Sequence, residues 1–595
     1  MTRADLDTIL LQLGDFGRFQ FANYVAISFP ILFSAIYTLT YVFTAKDLEY
    51  RCRIPECEGL GSPLASALGG HVVQGGDLVG VASKATKAAG LPRQQYIPDW
   101  LVHAVPHEGR APKNCHRYAP AGRPGPAVPN GSRSDCPAEL FSRTEVVRCQ
   151  DWVFEPGQMN SIASEWNIVC DENKWQLSIV GTINNIGLFA GLPFAGFFSD
   201  RFGRKALLFW SWGITCCMGI VRSFATNLVM MLTFEFLDAF FGAGVFSAGF
   251  ILALEFVGPD KRVVAGTVLN LFYSAGQVLL GAVAWAVFDW RWLLRSIYIP
   301  GFLCLLLLWP TPESVRWLAS KGRYAEADSI IRKVAKFNRV VINEALEDRV
   351  DLVQVKSEDT DKQKDSEKGL LGKSQKDLDR QDQAEAGGST FSNLLNTFKS
   401  SRLLFRFLNC SYCWMANTFV YYGLSLNSVS MAGNDYLNFI LVTLIELPAL
   451  LAQLWLMNIF GRRSCLSSTM IIAGACCVSF LVIPEDYLYT KLTTFMIGKF
   501  AITISFAVIY VYTAELFPTN VRHSLLGYCS MFGRIGSMLA PQTPLLATIN
   551  ASLPLTLFAV SSIIGGVLSL FFPETKDKSL PDSIKEAEEI GKSDR

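Results

Sequence analysis

Apolar runs long enough to cross a lipid bilayer as helices, about 18 to 25 residues each, recur along this chain. Half of the 595 residues are hydrophobic, 18% are charged, and the mean hydropathy is +0.28, which soluble chains of this length seldom reach. The sequence therefore predicts an all-α membrane protein. We expect roughly twelve transmembrane helices, at residues 22–43, 177–198, 206–224, 228–254, 264–288, 293–310, 404–425, 435–460, 464–483, 491–514, 525–547 and 553–572.

Charge and motif content exclude several classes of protein. The net charge of +1 and the pI near 7.4 offer little to a nucleic acid, and the basic residues fall in short clusters rather than along one face. The sequence has no nucleotide-binding loop, no nucleophile paired with a base and no cluster with metal-ligand spacing. A lone CxxC, Cys410 and Cys413, stands at the start of a span. We therefore expect no cofactor, no metal site and no enzymatic activity.

Short basic loops predict the topology, because cytosolic loops carry an excess of Lys and Arg. Such clusters lie at Arg201 with Arg204 and Lys205, at Lys261 with Arg262, from Arg316 to Lys336, and at Arg462 with Arg463. We expect these loops and both termini, 1–21 and 574–595, in the cytosol, and residues 44–176 outside the cell. The first run is too long for a signal-peptide core, so we expect it to be a retained helix.

The large loop at 44–176 has the composition of an extracellular segment. Six of the fifteen cysteines fall within it, and clustering of this kind in an oxidising compartment indicates up to three disulfides, whose pairing the sequence leaves open. The candidate cysteines are Cys52, Cys57, Cys115, Cys136, Cys149 and Cys170. The loop also contains an Asn-Gly-Ser sequon at Asn130, which predicts a glycosylation site.

Three short patterns occur twice along the chain, in the same order. GRK at Gly203 returns as GRR at Gly461, EFVGPDKR at Glu255 is matched by AELFPTNVR around Glu515, and PES at Pro312 returns as PET at Pro573. The chain therefore contains two six-helix pseudo-repeats: 22–43 with 177–318, and 404–573. This is the plan of a transporter whose halves rock about a site near the middle of the membrane.

Residues 319–403 connect the two halves. After a short amphipathic helix predicted at 324–338, the segment is highly charged and nearly free of aromatic residues, so it cannot bury enough apolar surface to fold alone. We expect a cytosolic linker with a disordered middle. It is either a solvated tether or, through its Ser and Thr residues, a target of phosphorylation.

Several long motifs resemble those of one family. GFFSDRFGRK at 196–205 is similar to the signature of the major facilitator superfamily. Five further motifs resemble those of solute carrier family 22, the organic cation, anion and carnitine transporters. They are EWNIVC at 165–170, PESVRWL at 312–318, GRYAEADSIIRKVAKFN at 322–338, GKFAIT at 498–503 and YVYTAELFPTNVR at 510–522. The resemblance spans nearly the whole chain and implies the major facilitator fold and a transport function.

Charged residues at the cytosolic ends of the spans predict a gate. We expect opposite charges there to pair across the two halves, as an inter-half lock that closes when the binding site faces outward and breaks when it faces inward. Gly196 is expected to let two helices approach closely. The alternative is ordinary positive-inside charge with weak surface pairs. The gate residues are Gly196, Asp200, Arg204, Glu255, Arg262, Glu313, Arg316, Arg462, Glu515 and Arg522.

Charged side chains inside the spans indicate a binding cavity, because each costs at least ~2.5–3.5 kcal/mol near the bilayer centre unless it has a partner or water. The candidates are Glu235, Asp238, Glu446, Lys499 and Arg534. The resemblance implies a carboxylate-tolerant site at Arg534, as in the anion and carnitine branches, and an acidic cation site at Glu446, as in the cation and carnitine branches. The combination resembles the zwitterion-handling carnitine type. Alternatively, both residues simply pair with other protein groups.

Aromatic and polar residues in the spans complete the predicted substrate site. Aromatic faces attract quaternary ammonium groups by cation–π contacts of about 0.5–2 kcal/mol, although they also form the belts at membrane interfaces. Mid-span polar residues either line a pocket or hydrogen-bond neighbouring helices. The further candidates are Trp414, Asn417, Tyr421, Tyr422, Tyr273 and Gln277.

Glu235 and Asp238 depart from the resemblance, because relatives usually have an arginine where Glu235 stands. The two acids lie one turn apart on one helix face. Three interpretations stand: the pair adds affinity for cations, one carboxylate carries a proton during transport, or Glu235 pairs with a base such as Arg222 near the external surface.

The sequence thus predicts a plasma-membrane transporter of small organic cations or zwitterions that works by alternating access. Carnitine-like compounds, quaternary ammonium compounds, biogenic amines and amine conjugates are the expected substrates. Membrane voltage or a coupling ion, Na⁺ or H⁺, would drive it. An organic anion transporter that uses Arg534, and a non-transporting receptor on the same fold, are the alternatives. The oligomeric state is not predicted.

Overall fold

The computed structural model describes residues 17–58, 96–108, 111–121, 136–258, 261–340, 398–431, 433–484, 486–518, 521–576, 578, 581 and 584–590. The predicted sequon at Asn130 and the charged middle of the linker lie outside these residues. Two compact units are present. The smaller unit comprises residues 43–177 with 287–290. The other, which we call the helical unit, comprises the remaining described residues and contains the long helices.

The smaller unit is built from short strands and helices. Three antiparallel pairs are formed. They join Tyr50–Cys52 to Trp152–Phe154, His107–Glu108 to Ala111–Pro112, and His116–Pro120 to Phe141–Arg148, and the last pair has an irregular register between Tyr118 and Ala119. After α1 (Arg18–Leu39) and α2 (Tyr41–Thr44), its elements are β1 (Tyr50–Cys52), α3 (Leu101–Ala104), β2 (His107–Glu108), β3 (Ala111–Pro112), β4 (His116–Pro120), a 3₁₀ turn (Ala138–Leu140), β5 (Phe141–Arg148), β6 (Trp152–Phe154), α4 (Ile162–Glu165) and a 3₁₀ turn (Asp171–Asn173).

All six candidate cysteines of this unit are paired in the structure. The disulfides join Cys52 to Cys149, Cys57 to Cys136 and Cys115 to Cys170. A small core of buried apolar side chains surrounds the first two, and it includes Ile54, Leu101 and Phe141. Small domains with little apolar core commonly depend on such cross-links.

The helices of the first half follow in chain order. They are α5 (Trp175–Phe202), α6 (Arg204–Arg222), α7 (Leu228–Glu255), α8 (Arg262–Ala286), α9 (Trp290–Leu303) and α10 (Leu305–Leu308). Two short helices begin the linker, α11 (Val315–Ser320) and α12 (Tyr324–Asn338). Helix α12 has the bounds predicted for the amphipathic segment, and its apolar side chains form a buried cluster with Phe19.

The second half has the same order of long helices. Its elements are α13 (Ser401–Asn427), a 3₁₀ turn (Ser428–Ser430), α14 (Asp435–Leu444), α15 (Glu446–Phe460), α16 (Arg462–Val482), α17 (Leu488–Leu516), α18 (Arg522–Leu539), a 3₁₀ turn (Ala540–Gln542), α19 (Thr543–Ile549), α20 (Leu553–Ser569) and α21 (Ile584–Glu589).

Every predicted span coincides with helix in the structure. Eight helical segments of the described chain are long and apolar enough to cross a membrane by length and composition. The helices at predicted spans 206–224, 404–425 and 525–547 are less apolar, since they contain polar groups such as Arg222, Asn417 and Arg534. The helix at 553–572 has only 17 regular residues. Buried polar groups are not confined to these helices, since Glu446 and Lys499 lie on two of the eight apolar segments.

The repeat in the sequence is also a repeat of local structure. Glu313 accepts hydrogen bonds from the backbone N–H groups of Arg204 and Lys205, both at 3.0 Å, at the start of α6. Glu574 does the same for Arg462 at 2.9 Å and Arg463 at 3.1 Å, at the start of α16. A carboxylate is favourable there because the helix N-terminus has a positive partial charge. We call the end of the helical unit that contains these contacts the linker end.

Candidate functional site

A cavity of about 500 Å³ lies in the helical unit and is lined by both halves. Its size is within the range of small-molecule sites. The structure places six of the predicted substrate residues in its wall: Tyr273, Trp414, Tyr421, Tyr422, Glu446 and Arg534. The wall also includes Leu254 and Arg262, so the cavity reaches the linker end.

The two halves are joined on the side of the cavity away from the linker end. Thr182 Oγ1 donates to the Met538 carbonyl at 3.2 Å and accepts from Gln542 Nε2 at 2.5 Å. Nearer the cavity, Ser274 Oγ donates to Glu446 Oε2 at 3.0 Å. These bonds connect helices of the first half with helices of the second, so this side is closed while the cavity extends toward the other.

Glu446 has a cationic partner within the protein. Lys499 Nζ lies 2.9 Å from Glu446 Oε1, and the two side chains are 0% and 1% exposed. The same ammonium donates to Ser425 Oγ at 2.7 Å and lies 3.4 Å from the centre of the Tyr421 ring. Tyr421 in turn donates to Glu446 Oε2 at 2.9 Å. The pair is therefore neutral as a unit, and Lys499 lies behind the cavity wall rather than in it.

Arg534 has a different environment. It lies in the cavity wall and is half-buried, and its guanidinium has no hydrogen bond or ion pair with any residue that the structure describes. A guanidinium offers paired N–H donors whose geometry matches a carboxylate. Of the two residues expected to bind the two ends of a zwitterion, Arg534 presents its charge to the cavity and Glu446 shares its charge with Lys499.

Aromatic side chains form much of the remaining wall. Trp414 and Tyr510 meet edge to face with ring centres 4.4 Å apart, and Phe506 stacks on Tyr421 at 5.1 Å. Phe506 and Tyr510 were not among the predicted substrate residues. Helical spacing could have predicted both, because residues 499, 503, 506 and 510 share one face of α17.

Two predicted substrate residues hydrogen-bond other helices instead of lining the cavity. Asn417 Nδ2 donates to Ser505 Oγ at 2.6 Å, and Gln277 Nε2 donates to the Tyr421 hydroxyl at 3.2 Å. Both are fully buried. They correspond to the alternative interpretation of mid-span polar groups, in which such residues connect neighbouring helices.

Glu235 and Asp238 lie outside the wall of the large cavity, in a buried cluster with Arg222. The Arg222 guanidinium pairs with Glu235 Oε2 and, at 3.1 Å, with Asp238 Oδ2. All three side chains are at most 2% exposed. Of the three interpretations of Glu235, the pairing with Arg222 is the one present in this structure. Arg222 is the last residue of α6 and is fully buried within the bundle.

Neighbouring helices complete the hydrogen bonding of this cluster. Asn184 Nδ2 donates to Glu235 Oε1 at 2.8 Å, and Arg222 Nη2 donates to the Tyr298 hydroxyl at 3.0 Å and to Thr40 Oγ1 at 3.2 Å. Tyr298 donates to Asp238 Oδ2. Five helices of the first half, α1, α5, α6, α7 and α9, flank or supply the cluster.

Gate residues form pairs within each half. Arg204 lies 3.2 Å from Asp200 and 3.8 Å from Glu255 in the first half, and Arg462 lies 3.1 Å from Glu515 in the second. Arg262 lines the cavity, Arg316 lies next to Trp317 at the start of α11, and Arg522 Nε donates to the Phe517 carbonyl at 3.3 Å. The lock between the halves is expected in the conformation whose binding site faces outward, and it stays a prediction.

The close helix approach expected at Gly196 does not occur in this structure. A Cβ there would meet no described atom within 4 Å, because the residue faces outward from the bundle. The close contact on α5 lies earlier, at Gly187 and Gly191, where a Cβ would come within 2.7 Å of the Phe236 carbonyl oxygen and 2.1 Å of the Phe240 carbonyl oxygen.

Comparisons with known proteins agree with this architecture. The model of the family described as "Sugar (and other) transporter" matches residues 149–585. The chain is 30% identical to a Drosophila melanogaster organic cation transporter protein, over 98% of this chain and 95% of that protein. It is also 30% identical to human organic cation/carnitine transporter 2, over 98% of this chain and 93% of that protein.

A solved structure has a similar fold. The inward open conformation of the xylose transporter XylE from E. coli matches with a TM-score of 0.52 and 16% identity, over 72% of this chain and 94% of that chain. The fold is therefore that of the major facilitator superfamily. The chain is also 30% identical to Mus musculus solute carrier family 22 member 21, over 99% of this chain and 94% of that protein. Together with the family match, this identifies the chain as a membrane transporter of the Sugar (and other) transporter family, within solute carrier family 22.

Proposed function

We propose that this protein carries small zwitterions, organic ammonium compounds that also bear a carboxylate, across the plasma membrane by alternating access. The observation that supports this most is the unpaired guanidinium of Arg534 in an aromatic-walled cavity. Arginine binds a carboxylate through two parallel hydrogen bonds, and no described protein carboxylate occupies it. The carboxylate end of the substrate takes this place.

The ammonium end is bound by the aromatic wall. Trp414, Tyr510 and Phe506 line the cavity, and an open aromatic face attracts a cation by about 0.5–2 kcal/mol depending on desolvation. Glu446 lines the wall as the acidic member of its neutral pair with Lys499. The relatives' names, organic cation and organic cation/carnitine transporters, support an ammonium-bearing substrate.

Charge at the middle of the cavity favours a zwitterion over a simple cation. Glu446 and Lys499 cancel, so Arg534 leaves this part of the wall with an excess positive charge. In a low-dielectric cavity a cation without a carboxylate would be repelled by that charge, whereas a zwitterion neutralises it.

The positive-inside rule places the linker end in the cytosol, so the cavity in this structure faces the cytosol. In the alternating cycle, the contacts between Ser274 and Glu446 and between Thr182 and Met538 open as the lock at the linker end closes. Such a cycle needs no cofactor. Voltage or a coupling ion drives it.

Uptake of a labelled substrate panel tests this assignment. Expressing cells receive carnitine, an amino-acid conjugate of a biogenic amine, choline and urate, and the Arg534→Gln variant is measured beside the wild type. We expect uptake of a zwitterion by the wild type and a rise in its KM of about 10- to 100-fold in the variant, the value of a charged hydrogen bond.

Choline serves as the matched substrate because it has the ammonium group without a carboxylate, and the same variant should leave its weak uptake unchanged or improve it. Preferential uptake of urate would assign the protein to the anion carriers. Surface expression without uptake of any compound would favour the receptor alternative. An equal loss of choline and zwitterion uptake would contradict the role given to Arg534.

A further inference from the structure

A second, much smaller cavity lies beside the Arg222 cluster. Its volume is about 20 Å³, enough for one water-sized particle. Four residues, Ser34, Thr38, Leu188 and Gly242, line both this cavity and the large one, so the two adjoin. The small cavity therefore lies directly beside the large one.

The cluster has an excess of one negative charge when both of its carboxylates are ionised. Arg222 is its only cation among the described residues in hydrogen-bond contact, and it pairs with both Glu235 and Asp238. A buried net charge is costly in the membrane interior, where water does not screen it. A single bound positive charge would make the cluster neutral, whereas a divalent ion would leave an excess of the opposite sign.

Two acceptor atoms at this cavity lack partners. Asp238 Oδ1 and Asn184 Oδ1 are buried and accept no hydrogen bond from any described residue, although the other atoms of both side chains are bonded. Both residues are 2% exposed and both line the small cavity. Since unpaired buried acceptors are destabilising, the site favours a positively charged occupant.

Hydroxyl oxygens surround the same space. Ser34, Thr38 and Thr215 line the cavity beside Asp238 and Asn184. Thr38 Oγ1 donates to the Ser34 carbonyl at 2.8 Å and Thr215 Oγ1 to the Asp238 carbonyl at 3.5 Å, so both hydroxyl oxygens keep lone pairs for an ion. Small hard cations prefer all-oxygen ligand sets of this kind. The lining also lacks Lys, His and Glu side chains among the described residues.

We propose that the small cavity binds one Na⁺ ion between Asp238 and Asn184, with hydroxyl oxygens of Ser34, Thr38 and Thr215 as further ligands. The ion supplies the missing positive charge and occupies both unpaired acceptors. A proton on Asp238 would also neutralise the charge, but it would leave the water-sized space and the ring of hydroxyls without a role. Coupling of this ion to transport rests on the proposed function, whereas its binding does not.

Thermal unfolding of the purified full-length protein in detergent tests the site without any substrate. NaCl is exchanged for CsCl at constant ionic strength, because Cs⁺ is too large for the cavity. We expect Tm to rise with NaCl and to saturate, as it does for a ligand that binds only the folded state, and to stay unchanged with CsCl. Asp238→Asn should abolish the Na⁺ response.

Thr215→Val is the second variant, because it removes one hydroxyl ligand and leaves the Arg222 ion pairs in place. It should raise the half-saturating Na⁺ concentration about tenfold or more. Ser211→Ala is the matched control: Ser211 is buried one turn earlier on the same helix and lines neither cavity, so the Na⁺ response should be that of the wild type.

Equal Tm values in NaCl and CsCl would overturn the proposal. A Tm that depends on pH between about 5 and 8, the range of a perturbed carboxyl group, but not on Na⁺ would also overturn it. That result would assign a proton to Asp238. An unaltered Na⁺ response in both variants would also exclude this location. Na⁺ binding without uptake of any zwitterion would contradict the proposed function alone.

Discussion

Lys499 Nζ and Glu446 Oε1 lie 2.9 Å apart in the interior of the second half, with both side chains at most 1% exposed. Glu446 also accepts a hydrogen bond from Ser274 of the first half. The same carboxylate therefore belongs to an ion pair within one half and to a contact between the halves. Its charge is balanced by Lys499 before any substrate arrives.

Removing one member of this pair should be more harmful than removing both. Lys499→Met leaves a buried carboxylate without its cation, which should reduce the free energy of unfolding by about 3–5 kcal/mol. The double variant Lys499→Met, Glu446→Gln has no buried charge and should regain most of that loss. The Tm values of the purified single and double variants measure the coupling between the two residues. Equal losses in the single and double variants would show that Lys499 stabilises by packing rather than by charge.

Gly203 and Gly461 should tolerate no side chain. Their φ angles are +107° and +82°, and an added Cβ would lie 2.2 Å from Glu313 Oε2 and 2.6 Å from Glu574 Oε2. Alanine at either position should cost about 1–3 kcal/mol through backbone strain and displacement of the carboxylate from the helix N-terminus. The yield of monodisperse protein and its Tm report the effect.

Gly196→Ala is the control for these two variants. A Cβ at Gly196 meets no described atom within 4 Å, and its backbone is helical, so this alanine should be neutral or slightly stabilising. If alanine at Gly196 lowered the Tm as much as alanine at Gly203, the backbone strain described here would not explain the effect. These glycines would then be needed for another conformation.

Asp200→Asn should slow transport without unfolding the protein. The pair of Asp200 with Arg204 is on the surface, the Asp200 side chain being 75% exposed, and such a pair contributes less than about 1 kcal/mol. If Asp200 pairs across the halves in the outward-facing state, uptake per surface molecule should fall while Tm stays nearly constant. Both quantities are measured in the same preparation.

The matched control for Asp200 is Glu326→Gln. Glu326, in the first turn of α12, is 55% exposed and pairs with Arg323, the residue that precedes this helix, away from the repeated gate motifs. Its uptake rate should be that of the wild type. A decrease of surface expression alone in Asp200→Asn, with normal uptake per molecule, would remove the evidence for the inter-half lock.

Cys170→Ser should release Cys115 as a thiol that reagents outside the cell can reach. The two residues form one disulfide, and Cys115 is the more exposed partner. A membrane-impermeant maleimide added to intact cells should label the variant and not the wild type. Cys476→Ser, which changes a free cysteine in α16, should stay unlabelled. Labelling of the Cys170 variant only after permeabilisation would reverse the proposed orientation.

Pattern alone was enough to predict the helices and the family. The twelve apolar runs, the bounds of the amphipathic helix at 324–338 and the duplicated motifs depend on local sequence, and helix formation in a membrane depends on local hydrogen bonds. Helical spacing could also have predicted Phe506 and Tyr510, because they lie on the same face of α17 as Lys499.

Partners of the buried charges could not be predicted in the same way. Glu446 resembled a cation site and proved to be paired with Lys499 from a helix that follows more than 50 residues later. For Glu235, pairing with Arg222 was only one of three interpretations, and the structure brings Arg222 against both Glu235 and Asp238. Pairings of this kind depend on how the helices pack, and spacing along one helix does not report it.

The sequence by itself determined that this chain forms membrane-spanning helices in two related halves, because hydropathy and repeated motifs are properties of contiguous residues. The tertiary structure decided which charges face the large cavity, which are neutralised inside the protein, and which keep an oxygen without a partner among the described residues beside a water-sized cavity. The physical reason is that the energy of a buried charge depends on groups within a few ångströms, and the fold brings those groups from distant helices.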